Sequence, residues 1–228
     1  MSLYSKQLLA DGVPQQEVDR RREVILRVVG SKELTDSEFS RTYGAPGNEV
    51  SRVTPSAWLV QVTTDIKPGK ALDVGMGQGR NSLFLARKGW DVTGVDHSEV
   101  AVGHAREEAL KAGVRYAAIT ADLHKFDFGR NRWDLIAAIY MPDRWVKQIY
   151  EGLKPRGLFV REHVIGFTAK GDDKEQRKQS LAKLYQGLEI VHYEEVLDPV
   201  GCYTLWEEQS ARVRTNPARV ARLTATKT

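Results

Sequence analysis

The sequence is poor in cysteine and lacks long apolar runs. Cys202 is the only cysteine among 228 residues, which excludes an internal disulfide and a CxxC zinc knuckle. We interpret its thiol as packed or partly exposed. No apolar stretch approaches the ~20 residues that a membrane-spanning helix needs, and the first residues lack the charged-then-apolar pattern of a signal peptide. We therefore expect a cytoplasmic protein with no membrane partner.

A strong excess of one charge is also missing. Lysines and arginines number 34 against 30 acidic residues, so the net charge is only +4. Arg20, Arg21 and Arg22 stand among acidic residues and predict a solvated helix face. Four arginines near the end could bind phosphate, but no aromatic residues alternate with them to stack on bases: Arg212, Arg214, Arg219 and Arg222. Nucleic acid is therefore not an expected partner.

From residue 70 onward, apolar strand-like runs alternate with helix-like segments. Strands are predicted at 70–75, 90–96, 115–122, 133–141, 158–166, 188–198 and 218–227. Helices are predicted at 80–89, at 98–113 with Ser98 as N-cap, from residue 143 to near Gly152, and at 172–187 with Leu181 and Leu184 inward. This alternation predicts a parallel sheet with helices on both faces. The last two strands are candidates for an antiparallel hairpin at one edge.

Residues 1–66 precede this alternation, and we predict that they form an N-terminal helical cap on a core of residues 67–228. The loop at 43–48 is rich in turn residues and is a candidate lid. Helices are predicted at 14–29, in a short stretch with Thr35 and Glu38 as a capping box, and at 56–66 with Trp58, Leu59 and Val62 inward.

Three glycines separate the first predicted strand from the helix that follows it. Glycine lets backbone N–H groups approach a ligand, and Gly77 and Gly79 are best placed for this. Dinucleotide-binding folds use G-x-G-x-x-G, whereas here the third glycine comes one residue early and Asp73 precedes Gly75. A carboxylate fits poorly beside a pyrophosphate but suits an ammonium group. The electrostatics therefore favour S-adenosylmethionine (SAM) over NAD.

Two more acidic residues stand at predicted strand ends. Asp96 ends the second strand, where a carboxylate can accept hydrogen bonds from ribose hydroxyls, a feature that NAD sites share. Asp122 ends the third strand and can accept from the adenine amino group, with Leu123 packing on the ring. A structural explanation stays open for two of the acids, because Asp73 and Asp122 can also cap turns.

Taken as an ordered set, these motifs resemble the class I SAM-dependent methyltransferases. The resemblance covers roughly residues 68–165 and rests on "LDVGMGQGRNSLFLARKGWDVTGVDHS", "TADLHKFDF", "RWDLIAAIY" and "IYEGLKPRGLFV". The wording "GQGRNSLFLA" is also similar to the tellurite-resistance and thiopurine methyltransferase branches, which act on small molecules. The family implies an α/β fold: a Rossmann-like, doubly wound, mostly parallel seven-stranded sheet with helices on both faces, here with the N-terminal helical cap.

The resemblance also implies how the cofactor SAM is held. Asp73, Gly75 and Gly77 would line its methionine end, Asp96 would hold the ribose, and His97 would lie near the adenine. Met76 stands where many members have cysteine or another small residue. The full predicted set of cofactor-binding residues is Asp73, Gly75, Met76, Gly77, Gly79, Asn81, Asp96, His97, Ser98, Asp122, Leu123 and Tyr140.

The acceptor is expected among the loops after the fourth and fifth strands. The candidate catalytic residues are Tyr140, Glu162 and His163, with Met141, Arg144, Trp145, Tyr43 and Trp58 as candidate neighbours. Because side chains alternate along a strand, at most one of Glu162 and His163 should face the site. His163 is a candidate general base, which is needed only if the acceptor must lose a proton. A hydrogen-bonded structural histidine is the alternative.

Several acceptor classes lack their motifs. The fourth strand carries no D/N-P-P-Y/F, no catalytic Pro-Cys is present, no Asp/Asn cluster suggests a metal site, and no large insertion offers a surface for a macromolecule. A small-molecule acceptor remains, methylated from SAM by in-line displacement. An NAD(P)-dependent oxidoreductase and a non-catalytic SAM-binding protein remain alternatives at this point. The sequence carries no signal for oligomeric state.

Overall fold

The computed structural model describes residues 55–165, 174–198 and 218–228, together with the isolated residue 16. The predictions for the helix at 14–29, the capping box, the loop at 43–48 and Cys202 lie outside the described residues. The division into a cap of residues 1–66 and a core of residues 67–228 stays a prediction.

Seven strands form one sheet in the order β3-β2-β1-β4-β5-β7-β6. The strands are β1 (Lys70–Val74), β2 (Asp91–Asp96), β3 (Ala117–Thr120), β4 (Trp133–Ile139), β5 (Leu153–Val164), β6 (Leu188–Asp198) and β7 (Ala218–Lys227). The described helices are α1 (Ala57–Thr63), α2 (Arg80–Arg87), α3 (Glu99–Lys111), α4 (Val146–Gly152) and α5 (Lys174–Leu184). The Rossmann-like, mostly parallel seven-stranded sheet predicted from the sequence is confirmed.

Strands β1 to β5 run parallel, and β7 runs antiparallel between β5 and β6. The expected antiparallel pair is therefore present, but only β6 of that pair lies at the edge of the sheet. The chain winds outward from β1 through β2 to β3 and then returns to place β4 on the other side of β1. The carboxyl ends of β1 and β4 thus form the switch point where open α/β sheets bind ligands.

Apolar side chains fill both faces of the sheet. On one face, Trp58 and Leu59 of α1 and Leu85 of α2 pack against β4 and β5. On the other face, Phe159 of β5 packs against the ring of Tyr185. The prediction that Leu184 points inward is wrong, since it is 43% exposed and the next residue, Tyr185, is 1% exposed. The helix ends three residues earlier than predicted, at Leu184, and the following turn carries Tyr185 into the core.

Short polar side chains begin two of the helices that border the site. Ser98 caps α3, as predicted, because its hydroxyl accepts the N–H of Ala101. Ser56 caps α1 in the same way, with the N–H of Leu59 as donor. Within the described segments, no helix combines the length and the apolar character that crossing a membrane requires.

Two glycines allow a matched test of the packing between α2 and α3. Gly79 has φ +81°, and a Cβ there would lie 2.8 Å from the Ala105 Cβ and 2.3 Å from the Tyr116 hydroxyl. Gly103 lies within α3 with no atom inside 4 Å of an added Cβ. We expect Gly79→Ala to lower the free energy of unfolding by about 1–3 kcal/mol. Gly103→Ala should raise it by about 0.5–1 kcal/mol.

Urea denaturation followed by circular dichroism measures both changes. Equal effects of the two substitutions would contradict the close approach of α2 and α3 at Gly79.

Candidate functional site

The carboxyl ends of five neighbouring strands bring the predicted site residues to one edge of the sheet. Asp73 is the fourth residue of β1, Asp96 ends β2, and Asp122 follows β3. Tyr140 follows β4 directly, and His163 is the second-last residue of β5. The parallel registers of β1 with β2 and β4 place these ends side by side. The residues come from separate parts of the chain and meet only because the strands run parallel.

The glycine loop after β1 is held by hydrogen bonds within the protein. Gly75, Gly77 and Gly79 have φ values of +67°, +56° and +81°. The Gly77 N–H donates to Oδ2 of Asp96 at 2.9 Å, and the Gly79 N–H donates to the Met76 carbonyl at 3.0 Å. The expectation that these two N–H groups approach a ligand is therefore not what the structure shows. The Asp96 carboxylate, at the end of the neighbouring strand, accepts the Gly77 N–H. The conformation of the glycine loop is therefore fixed by hydrogen bonds within the protein.

Asp73 is a buried carboxylate beneath this loop. It is 1% exposed, and its Oδ2 accepts a hydrogen bond from the Ser82 hydroxyl at 2.7 Å. Burial raises the pKa of Asp73 to about 6, against the lowering effects of Ser82 and of the Arg80 charge. Sequence reasoning missed Ser82, although it lies on the buried face of α2 one turn after Gly79. A cation that binds beside this carboxylate would offset the free-energy cost of burying its negative charge.

Asp96 joins the glycine loop to the start of α3. It is 4% exposed, its Oδ1 accepts the Ser98 N–H at 2.9 Å, and Nδ1 of His97 lies 3.7 Å from Oδ1. Each carboxylate oxygen has two lone pairs, so Asp96 can still accept from the two hydroxyls of a ribose. Ser98 takes part through its backbone, because its side chain caps α3.

The segment after β3 offers one exposed and one buried residue. The Asp122 side chain is 48% exposed, and its Oδ1 accepts the N–H of His124 at 2.9 Å. Asp122 therefore caps a turn and still presents its carboxylate to solvent. Leu123 is buried, and the ring of His124 lies 5.4 Å from that of Trp145. An apolar residue beside an open carboxylate fits an adenine ring with an amino group.

Two of the predicted site residues hold the start of α1, Asn81 from α2 and Glu162 from strand β5. Oδ1 of Asn81 accepts the Ser56 N–H at 2.9 Å. Glu162 is 1% exposed, and its two oxygens accept from the Ser56 hydroxyl at 2.6 Å and from Nε of Arg222 at 2.8 Å. These contacts give Asn81 and Glu162 a clear structural function. The catalytic role of Glu162 stays an untested prediction, and none of the arguments below depends on it.

Tyr140 adopts a strained backbone conformation at the end of β4. Its φ is +62°, a value that costs a non-glycine residue of order 1–3 kcal/mol and is found most often at functional sites. The Arg80 guanidinium lies 5.7 Å from the centre of its ring. The next residue, Met141, has its sulfur 2.1 Å from the position that a Cβ on Gly75 would occupy. The β4–α4 loop therefore lies directly against the glycine loop.

A second polar network lies on the opposite face of β5. Arg161 is 3% exposed and donates from Nε and Nη2 to the two oxygens of Asp143, at 2.6 and 2.7 Å. The Tyr185 hydroxyl also donates to Asp143. His163 shares this face with Arg161, while Glu162 points to α1, so the predicted alternation is confirmed. Sequence reasoning missed Arg161, Asp143 and Tyr185.

His163 is electrically neutral at physiological pH. Burial and the positive charge of Arg161 lower the pKa of His163 to about 4, against the opposing effect of Asp143. A neutral imidazole can accept one hydrogen bond and donate another. In the described residues we find no group of three or more His, Cys, Asp or Glu side chains that could hold a metal ion.

Residues 71–157 match a family model described as a methyltransferase domain. Over these residues the chain is similar to methyltransferases that use SAM. The match runs from β1 into the first part of β5 and includes the glycine loop, Asp96 and the segment after β3. The family resemblance noted in the sequence is confirmed, and the methyl donor of this family is SAM.

Two curated relatives show what this stretch of the chain is similar to. A probable SAM-dependent methyltransferase TehB from Haemophilus influenzae is 35% identical over 80 residues, which is 35% of this chain and 28% of the relative. A ubiquinone biosynthesis O-methyltransferase from Idiomarina loihiensis is 31% identical over 133 residues, 47% of this chain and 54% of the relative. The matched region thus spans between about a quarter and about half of the length of these curated relatives.

Solved structures share the same fold. The TehB structure from Haemophilus influenzae has a TM-score of 0.58 at 21% identity and covers 85% of this chain and 67% of that one. The structure of the [4+2]-cyclase SpnF has a TM-score of 0.58 at 25% identity, covering 74% of this chain and 78% of that one.

The residues at the strand ends fit SAM on chemical grounds. The Asp73 carboxylate has a raised pKa because it is buried, so an ammonium group beside it would relieve that cost. Asp96 has lone pairs left for ribose hydroxyls, and Asp122 with Leu123 offers a carboxylate beside an apolar surface. A pyrophosphate in the same place would meet the negative charges of Asp73 and Asp96.

The buried carboxyl of Asp73 predicts a specific dependence of stability on pH. Its pKa of about 6 is above the value in the unfolded chain, so the folded protein binds more protons between about pH 4 and pH 6. This contribution to stability is present at low pH and is lost as the pH rises through about 6. We expect Asp73→Asn to be more stable than wild type at about pH 8, by about 1–3 kcal/mol, with no difference near pH 4.

Urea unfolding of both proteins across this pH range measures the effect. Asp65→Asn, at an exposed position after α1, is the control and should follow the wild-type curve. An Asp73→Asn curve parallel to that of wild type at all pH values would contradict the raised pKa.

Proposed function

We propose that this protein transfers a methyl group from SAM to a small-molecule acceptor by in-line displacement. The observation that carries the proposal is the buried Asp73 carboxylate with its Ser82 partner, placed beneath a glycine loop at the carboxyl end of β1. One relative is a ubiquinone biosynthesis O-methyltransferase, which supports a small-molecule acceptor. The absence of DNA-methyltransferase motifs from the fourth strand supports it further.

Each side chain has a defined task in this proposal. Asp73 binds the ammonium group, Asp96 orients the ribose, and Asp122 with Leu123 receives the adenine. SAM supplies a methyl group on a sulfonium, which is already a good leaving group. The protein therefore has to position the reactants and exclude water, and these two effects can supply most of the catalysis.

The β4–α4 loop is suited to excluding water from the reacting atoms. Met141 contacts the glycine loop, and the strained Tyr140 places its ring beside the Arg80 guanidinium. Strain of this kind persists only where surrounding contacts hold the residue. We propose that Tyr140 borders the transferred methyl group.

Binding of SAM can be tested with two substitutions on one strand. Asp96 lies at the carboxyl end of β2, and Asp91 is exposed at its amino end. Asp96→Ala should weaken SAM binding more than about tenfold, since it removes acceptors of charge-assisted hydrogen bonds. Asp91→Ala should leave the dissociation constant unchanged. Isothermal titration calorimetry with SAM and with S-adenosylhomocysteine measures both.

Failure of wild type to bind either compound would overturn the proposed function. Tight SAM binding without release of S-adenosylhomocysteine in the presence of any acceptor in a broad screen would instead support a non-catalytic SAM-binding protein. An equal loss of SAM binding in Asp91→Ala and Asp96→Ala would show that binding depends on β2 as a whole and not on the carboxylate at its carboxyl end.

A further inference from the structure

Two buried polar atoms on one face of β5 have no hydrogen-bond partner among the described residues. They are Nη1 of Arg161 and Nδ1 of His163. Arg161 is only 3% exposed, and its Nε and Nη2 donate hydrogen bonds to Asp143. A buried polar group without a protein partner carries a desolvation cost unless an ordered water, a ligand or a reacting group completes its hydrogen bonds. Two such groups on neighbouring positions of one strand face indicate a binding site.

The position of this pair connects it to the cofactor site. His163 is next to Tyr140 in the parallel register, because Ile139 of β4 pairs with Glu162 of β5. Arg161 is held by Asp143, which lies two residues after Met141, the side chain that contacts the glycine loop. The pair therefore lies next to the β4–α4 loop, which borders the predicted place of the methyl group.

We propose that Arg161 and His163 bind the acceptor through a hydroxyl group, so that the protein is an O-methyltransferase. This inference rests on the proposed function and adds the chemical class of the acceptor. Nη1 of Arg161 donates a hydrogen bond to the hydroxyl oxygen. Nδ1 of His163 accepts the hydroxyl proton, with the ring proton placed on Nε2 because this tautomer leaves no N–H orphaned at the buried nitrogen.

The hydrogen-bonding capacity of oxygen explains the choice of acceptor. A hydroxyl oxygen has two lone pairs, so one can accept from Arg161 while the other attacks the methyl carbon. An amine nitrogen has a single lone pair, which the Arg161 contact would occupy. A thiol sulfur is a weak acceptor and gains little from a guanidinium. Only the hydroxyl uses both unpartnered atoms and keeps its nucleophilic electrons.

Arg161 and His163 are the protein groups that the chemical step requires. The acceptor oxygen forms a bond to the methyl carbon while the carbon–sulfur bond breaks, and that bonding pair stays on sulfur. The hydroxyl proton passes to Nδ1 of His163 and then to solvent. A pKa of about 4 makes His163 a weak base, which suffices because the oxygen becomes strongly acidic as its new bond forms. Arg161 stays charged throughout and holds the hydroxyl oxygen in place through its hydrogen bond while the proton passes to His163.

The Asp143 carboxylate and the Tyr185 hydroxyl act through Arg161. Asp143 accepts from two nitrogens of Arg161 and from Tyr185, so the guanidinium has one fixed orientation. A bidentate pair of this kind restricts rotation of the side chain. Nη1 is thereby aimed at one place before an acceptor arrives. Asp143 and Tyr185 are positioning residues in this scheme.

Matched probes and matched variants test the inference. The acceptors are phenol, thiophenol, aniline and anisole, with cyclohexanol, cyclohexanethiol and cyclohexylamine as the aliphatic series. The variants are His163→Gln and Arg161→Lys. Their controls are His192→Gln, at an exposed histidine of β6, and Arg177→Lys, at an arginine that pairs bidentately with Glu195 away from the site. Release of S-adenosylhomocysteine measures transfer, and calorimetry on the protein saturated with S-adenosylhomocysteine measures acceptor binding.

We expect transfer and binding only with the hydroxyl probes, and no binding of anisole. His163→Gln should lower kcat about 100-fold with little change in acceptor binding, as expected for a general base. Arg161→Lys should weaken binding of the hydroxyl probe about tenfold. Both variants should bind SAM as wild type does, and both controls should behave as wild type.

A protein that binds SAM and methylates only thiols or amines, or that binds no hydroxyl probe, would overturn the hydroxyl assignment and leave the SAM site intact. Full activity of His163→Gln and Arg161→Lys would do the same. Loss of SAM binding in wild type would count against the proposed function itself, so the two failures are distinguishable.

Discussion

The arrangement of the site depends on one carboxylate, that of Asp96, and on what its two oxygens accept. One oxygen binds the Gly77 N–H of the glycine loop, and the other binds the Ser98 N–H at the start of α3. A side chain at the end of β2 thus fixes the loop that follows β1 and the first turn of a helix. Buried charge-assisted hydrogen bonds are strong, and removing one partner leaves the others unsatisfied. Asp96 consequently holds the glycine loop and the first turn of α3 in one arrangement.

Strand β5 carries the second constraint, because it places charged groups on both faces of the sheet. Glu162 faces α1 and binds Ser56 and Arg222, while Arg161 faces the other way and binds Asp143. Buried charges are tolerated only when they are paired, and both pairs meet that condition. The first pair attaches α1 to the sheet. The second orients one guanidinium and leaves one of its nitrogens without a hydrogen-bond partner among the residues that the structure describes.

Much of the fold could be predicted from local patterns in the sequence. The alternation of apolar runs with helical segments predicted every strand of the sheet, and Ser98 was recognised as a cap from its position alone. Errors appeared where the answer depended on distant contacts. Leu184 was expected to point inward, yet the chain turns just after it and Tyr185 reaches the core against Phe159. The expected antiparallel pair of β6 and β7 lies at one edge of the sheet, but the order within it, with β7 between β5 and β6, was not predicted.

By itself the sequence determined the class of protein and the acidic residues at the ends of β1, β2 and β3. Strand ends and glycine turns depend on residues that are close together in the sequence, so local patterns predict them. Only the tertiary structure decided which of those groups are already engaged. In the folded protein the Gly77 N–H donates to Asp96 and the Ser82 hydroxyl donates to Asp73. Glu162 and His163 lie on opposite faces of the sheet. The tertiary structure also joined Arg161 to Asp143, which stand on different elements. Such pairings depend on strand order and register, and no local pattern encodes them.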